Sequence, residues 1–218
     1  KSVLELASMS IPENDLMHVN TVNKVLNGIS GLLGWGVTNG YVSTNYAKGM
    51  SLSTGIRSDE ERLPYTDAEI GTLKTAVVSG AHGSHKTPYM TWVPLIGMYS
   101  GMRLNEICQL GVADVTEVDG IPVFNITDEG DGKRLKTLNS KRVVPVHPAL
   151  ADAGLLEYVN SLKGAASPQL FPELSKARDG FRATPGKWFA RYKKLIGLGH
   201  RDFHALRHTF VTKLREAG

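Results

Sequence analysis

The chain has 218 residues, 41% hydrophobic and 21% charged, with a formal net charge of +4, the balance of a globular protein that can bury a core. No apolar run of about 18 residues exists, so no membrane-spanning helix is expected, and KSVLELASMSIPEND lacks the basic start and apolar stretch of a signal peptide. The single cysteine, Cys108, excludes an intramolecular disulfide framework and a Cys-rich zinc site, and points to a reducing, cytoplasmic setting.

Lys1 in place of Met suggests a piece of a longer protein. Residues 18–40 read as a helix, because Val22, Val25, Leu26, Ile29, Leu32, Leu33 and Val37 recur at the three-to-four spacing of one buried face. Trp35 lies beside that stripe and is expected in the core with it. Such a helix cannot bury its own face, so a partner from an upstream helical domain is expected. Residues 48–64 are polar, rich in Gly, Ser and charge, and without period, which reads as a linker. Thr66 and Glu69 have the spacing of a capping box and start the next helix.

Residues 79–88 read as a loop whose two histidines lack a third metal ligand at suitable spacing. Trp92, Leu95, Ile96 and Tyr99 mark a buried helix, broken at Ser100-Gly101 and resumed from Arg103 to Leu110, with Cys108 as core filler. The period then changes. Ile121-Pro-Val-Phe-Asn-Ile126 and Arg142-Val-Val-Pro-Val146 are strand-like, with turn chemistry at Asp128–Gly132 and Leu138–Ser140. A small antiparallel sheet of about three strands is expected, with Lys136 ending one strand at a hairpin tip. Helices are expected again at about 148–163, 184–197 and 204–217. The fold class is therefore mainly α with a small antiparallel β-sheet (α+β).

Charge is unevenly distributed. From Glu173 to Gly218 there are eleven Lys/Arg against four Asp/Glu, which suits a polyanion-facing surface. Arg103 and Glu106 share a helix face, so the carboxylate can hold the guanidinium while its fork stays free for a phosphate; an ordinary exposed ion pair has the same spacing. Lys133, Arg134, Lys136, Lys141 and Arg142 place five cations in one short stretch, although lysines also keep sheet edges soluble. His204 and Arg207 project from one side of a helix start below Asp202, a good anion site. His208 is expected on a different face from His204, in packing or capping.

Arg103 with Glu106 after a Gly break, Lys136 in Lys-Thr-x-Asn-Ser-x-Arg-x-Val-Pro, and His204-x-x-Arg207-His208, in that order, resemble the phage-integrase family of tyrosine site-specific recombinases. Residues 18–50, with the run Asn45-Tyr46-Ala47, resemble the end of that family's helical core-binding domain, and 64–217 most of its catalytic domain. The resemblance implies residues 1–57 as core-binding domain plus linker and 58–218 as catalytic domain. It implies site-specific DNA recombination or integration through a 3′-phosphotyrosyl intermediate, without metal, ATP or other cofactor. Arg103 and Arg207 would clamp the scissile phosphate, Lys136 would be the general acid, His204 would assist proton transfer or hold the phosphate, and Glu106 would support Arg103. Lys133, Arg134, Lys141 and Arg142 would contact DNA.

The partners implied are a double-stranded recombination site and, at full length, further copies in a tetramer, in the cytoplasm of a bacterium or phage host and with no membrane. The family's nucleophilic tyrosine lies about thirty residues beyond its second arginine, whereas this chain ends eleven residues after Arg207. It is accordingly expected to be a fragment without its nucleophile. Competing readings are a non-catalytic DNA-binding module of the same fold, a His/Arg phosphate-ester hydrolase, and a type IB topoisomerase, against which the hairpin and leading helix argue.

Overall fold

The computed structural model describes residues 5, 8–10, 12, 15–53, 63–130, 132–135, 137, 140–165, 167–178 and 180–218. The chain divides into two compact units, Lys1–Glu61 and Arg62–Gly218. Among the described residues no helix is long and apolar enough to cross a membrane.

In the first unit, α1 (Val19–Thr38) starts on His18, whose ring nitrogen accepts from the Asn20 amide. The chain then returns along it, tied by amide side chains. Asn45 donates to the Ser30 carbonyl at 2.9 Å, and Asn23 exchanges two hydrogen bonds with the Leu52 backbone at 2.7 and 2.8 Å. This strap grips the helix through polar groups and leaves much of the apolar stripe open. Val25, Ile29 and Leu32 are exposed. Trp35 is 58% exposed rather than in the core, and it stacks on Tyr41 with ring centroids 5.3 Å apart.

The second unit is built around α3 (Pro88–Ser100). Tyr89, Trp92, Val93, Leu95, Ile96 and Met98 are all buried on it, and a helix apolar on nearly every side belongs at the centre of a fold. α2 (Asp67–Val78) packs on one flank and begins with the expected box: the Thr66 hydroxyl accepts from the Glu69 amide and the Glu69 carboxylate from the Thr66 amide. After α3 come α4 (Leu104–Cys108), then β1 (Val115–Val118), β2 (Ile121–Ile126) and β3 (Arg142–Pro145), an antiparallel sheet in the order β1-β2-β3. Phe124 and Ile126 of β2 turn into the core, and Val123 is buried on the other face of the strand. α5 (Pro148–Asp152), α6 (Leu155–Gly164), α7 (Ala183–Leu195) and α8 (Phe203–Glu216) complete the unit.

The expected sheet is present, but its third strand differs from the one anticipated. Residues 133–135 form no ladder, Lys136 lies outside the described residues, and β2 pairs directly with β3. β1 supplies the third strand through the tight turn Asp119-Gly120, where both residues have positive φ, as a type I′ hairpin requires. The helix expected over 148–163 is two helices, broken at Ala153-Gly154. Tyr99, expected to be buried, is half-buried, as is Tyr158. Cys108 is buried, and burial pushes its thiol well above the usual range.

α8 packs against α3 at very short range. A Cβ on Gly97 would lie 2.7 Å from the Phe203 ring, and one on Gly101 would overlap the ring of Phe210. Gly101 also ends α3 with φ of +59°, in the left-handed region. Gly101→Ala is therefore expected to destabilise the protein by about 2–4 kcal/mol, combining left-handed strain with overpacking. A fall in urea midpoint at unchanged slope would register it.

Candidate functional site

The break after α3 sets up the site. Gly101 reverses the chain, and Arg103 becomes the residue that caps α4. Glu106, one turn in, accepts the Arg103 amide at 3.0 Å through one carboxylate oxygen and the Arg103 guanidinium at 2.7 Å through the other. Glu106 is only 5% exposed. Arg142, at the start of β3, reaches the same carboxylate at 2.7 Å and also donates to the Ser140 carbonyl at 3.1 Å. One buried carboxylate thus holds two guanidiniums, one three residues and one 36 residues away in sequence.

Arg207 arrives from α8. Its guanidinium donates to the Gly101 carbonyl at 2.5 Å. α8 is fixed by the Asp202 carboxylate, which accepts the Ala205 amide at 2.8 Å, and by Thr209, which accepts the Tyr65 amide at 2.7 Å. Burial lowers the Arg207 pKa from the usual guanidinium range, the neighbouring cations Arg103 and Arg142 lower it further, and Glu106 opposes them. It stays charged at any physiological pH. For Glu106, burial would raise the pKa, but hydrogen bonds from Arg142 and Arg103 outweigh it and hold the carboxyl below its ordinary range. Arg103 and Arg142 bound to Glu106, with Arg207 within electrostatic reach of all three, leave two positive charges in excess.

Arg103 and His204 line one cleft of about 680 Å³, together with Arg134, Arg182 and Asp202. Arg142 and Arg207 line the adjoining, more apolar groove along β3 and α8. His204 and His208 share a face, contrary to expectation, with ring centroids 5.0 Å apart. Four residues along a helix is little more than one turn, so the two rings meet, edge to face at 82°.

The remaining sequence-derived candidates are placed as follows. Arg134 is exposed at the cleft, with its amide on the Gln109 side-chain oxygen at 3.1 Å. Lys141 pairs at the surface with Asp128 and Glu129. Lys133 is turned inward onto Asp114 at 2.6 Å. Arg182, which sequence reasoning passed over, lines the cleft; only its place in the basic C-terminal third hinted at it.

The model of the phage integrase family matches residues 81–218, a span that includes Arg103, Lys136, His204 and Arg207. The chain belongs to the phage integrase family. A tyrosine recombinase of Pseudothermotoga lettingae is 30% identical over 121 residues, 55% of this chain and 38% of that protein. A tyrosine recombinase XerC-like protein of Caldanaerobacter subterraneus subsp. tengcongensis is 25% identical over 227 residues, 91% of this chain and 56% of the relative. The chain thus spans 38% and 56% of the lengths of these two relatives. The Tn1549 transposon integrase, solved in complex with circular intermediate DNA, has the same fold: TM-score 0.67 over 94% of this chain and 69% of that one, at 18% identity.

In the second unit, no tyrosine lines the cleft shared by Arg103 and His204. Tyr65 donates to the Asp202 carbonyl and Tyr158 to the Leu170 carbonyl, while Tyr89 and Tyr192 are packed around Trp188. Tyr99 sits against His147 in the adjoining groove. Burial raises the Tyr65 and Tyr158 hydroxyls well above their usual range, which works against a nucleophilic role.

Proposed function

We propose that this integrase-family chain carries the scissile-phosphate clamp of a site-specific recombinase that cuts and rejoins double-stranded DNA. The observation that carries this reading is the pairing of Arg103 and Arg142 with Glu106, with Arg207 held on the Gly101 carbonyl within electrostatic reach of them, beside the cleft that holds His204. Two excess positive charges match a phosphodiester that gains a second negative charge when a tyrosinate attacks it. Guanidiniums already fixed in position stabilise that charge with little reorganisation.

In this reaction a tyrosine oxygen forms a bond to phosphorus as the P–O5′ bond breaks. The product is a 3′-phosphotyrosyl link and a free 5′-hydroxyl, and the reverse step with another 5′-hydroxyl rejoins DNA. Arg103 and Arg207 hold the non-bridging oxygens, and Glu106 keeps Arg103 in place. His204 holds the phosphate or receives the tyrosine proton. Lys136 gives its proton to the leaving O5′. Arg134 and Lys141 contact the DNA backbone, whereas Lys133 and Arg142 serve internally through Asp114 and Glu106. Residues 1–57 are the end of a core-binding domain and 58–218 the catalytic domain. The intact protein works as a tetramer on two duplexes, in the cytoplasm of a bacterium or phage host.

No tyrosine of the second unit lines the cleft that Arg103 and His204 share, so none of them is assigned the attack. Incubated with a nicked duplex carrying its target, found by binding selection from a random library, the 218-residue chain is expected to bind with steep salt dependence and form no covalent adduct. An adduct would overturn the assignment of the nucleophile. Absence of DNA binding would overturn the reading as a whole.

A further inference from the structure

Lys133 is an unusual surface-loop lysine. Its ammonium sits 2.7 and 2.6 Å from the two oxygens of Asp114, and the two side chains are only 14% and 10% exposed. Asp114 is itself fixed, because its carboxylate accepts the Gly111 amide at 2.6 Å. Gly111 has no room to move. A Cβ there would lie 3.0 Å from the Pro168 carbonyl, which accepts the amide of the next residue, Val112.

A second tie follows directly. The Arg134 amide donates to the Gln109 side-chain oxygen at 3.1 Å, and the same oxygen accepts from Asn105 at 2.9 Å. Asn105 lies on α4, the helix that Arg103 caps and Glu106 anchors. On the far side, the Thr137 and Ser140 hydroxyls pair at 2.9 Å, and the Ser140 carbonyl accepts from Arg142. Arg142 then joins Glu106. The connector between β2 and β3 is therefore tied at Lys133 to Asp114, at Arg134 through Gln109 to Asn105 on α4, and at Ser140 through Arg142 to Glu106. Arg134 and Lys136 are two residues apart, at most about 7 Å of chain.

We propose that the buried Lys133–Asp114 pair is a latch that positions the connector carrying Lys136, so that its ammonium is delivered to the leaving O5′. Both members are positioning residues; neither touches DNA. This rests on the proton-donor role given to Lys136 above. A buried ion pair contributes little net stability once desolvation is counted, so its effect lies in where it holds the chain.

The test is single-turnover cleavage by the intact protein on two duplexes, one ordinary and one with sulfur replacing the bridging O5′ of the scissile phosphate. A thiol ionises near pH 8.5, so a thiolate leaves without being handed a proton. Lys133→Met leaves Asp114 on the Gly111 amide but without its cation, so the variant's stability is checked by a thermal melt alongside. It is expected to cleave the ordinary duplex about 10–100-fold more slowly than wild type, as a small misplacement of a reacting group does. On the sulfur duplex it should match wild type. Lys136→Ala is the reference and should show the same pattern with a larger deficit. Should Lys133→Met lose its cooperative melt, Lys133→Gln, which keeps one hydrogen bond to Asp114, is expected to show a smaller deficit with the same sulfur rescue.

Equal slowing on both duplexes, or no slowing on either, overturns the latch while Lys136→Ala still shows sulfur rescue. If Lys136→Ala is not rescued, the proton-donor reading itself fails and the latch falls with it.

Discussion

Arg207→Ala is expected to slow strand cleavage by the intact protein about 10²–10³-fold while leaving target binding nearly unchanged. The guanidinium is held by the Gly101 carbonyl within electrostatic reach of Arg103 and Arg142, so its position is fixed before DNA arrives. On the proposed reading it would be one of many contacts to ground-state DNA but one of few to the charge that develops on the reacting phosphate. Arg103→Ala should behave alike, with an added loss of stability because it leaves Glu106 with one partner fewer. A non-catalytic binding module would respond differently: affinity would drop, the salt slope would become shallower by about one for each lost phosphate contact, and no covalent adduct would form with any variant. Covalent trapping and a salt titration on the same variants separate the two.

Glu106→Ala is expected to destabilise the fold by about 3 kcal/mol, because it leaves two guanidiniums facing each other with no carboxylate between them. Glu106→Gln, which can still accept one hydrogen bond, should cost less. The same carboxylate sets an acid limit. Its folded pKa is depressed, so the unfolded chain takes up the proton first as pH falls. The stability it contributes is complete above the unfolded carboxylate value of about 4.3 and is lost as pH drops through the lower folded value. Urea midpoints measured from pH 6 down to pH 3 should fall for wild type and stay flatter for Glu106→Ala. Parallel curves would remove Glu106 from this role.

Features set by neighbours in sequence were legible. The Thr66–Glu69 box, the break at Gly101 and the start of α8 at Asp202 follow from cap chemistry and periodicity, which act over a few residues. The family motif likewise marked Arg103, His204 and Arg207 by order and spacing. The strand β1 was missed, although Val118-Asp-Gly-Ile121 carries a hairpin signal, Asp-Gly between apolar residues.

What could not be read were pairings across the fold. Arg142 meets Glu106 only because β3 lies beside α4, and Lys133 meets Asp114 only because the connector turns inward. Both cations looked like DNA contacts in a basic stretch. Trp35 failed for a different reason. Periodicity identifies an apolar face, but what covers that face is a tertiary matter; among the described residues of its unit Trp35 meets the Tyr41 ring and the returning strap is tied by amide side chains.

The central claim is that Arg103 and Arg207 act by neutralising charge on the scissile phosphate. The most direct test replaces one non-bridging oxygen of that phosphate with a methyl group, which removes a negative charge, and repeats the single-turnover assay with Arg207→Ala. The deficit of about 10²–10³ seen on the ordinary duplex should shrink to within about tenfold of wild type, since less charge then needs a partner. An undiminished deficit on the methylphosphonate duplex would contradict the account.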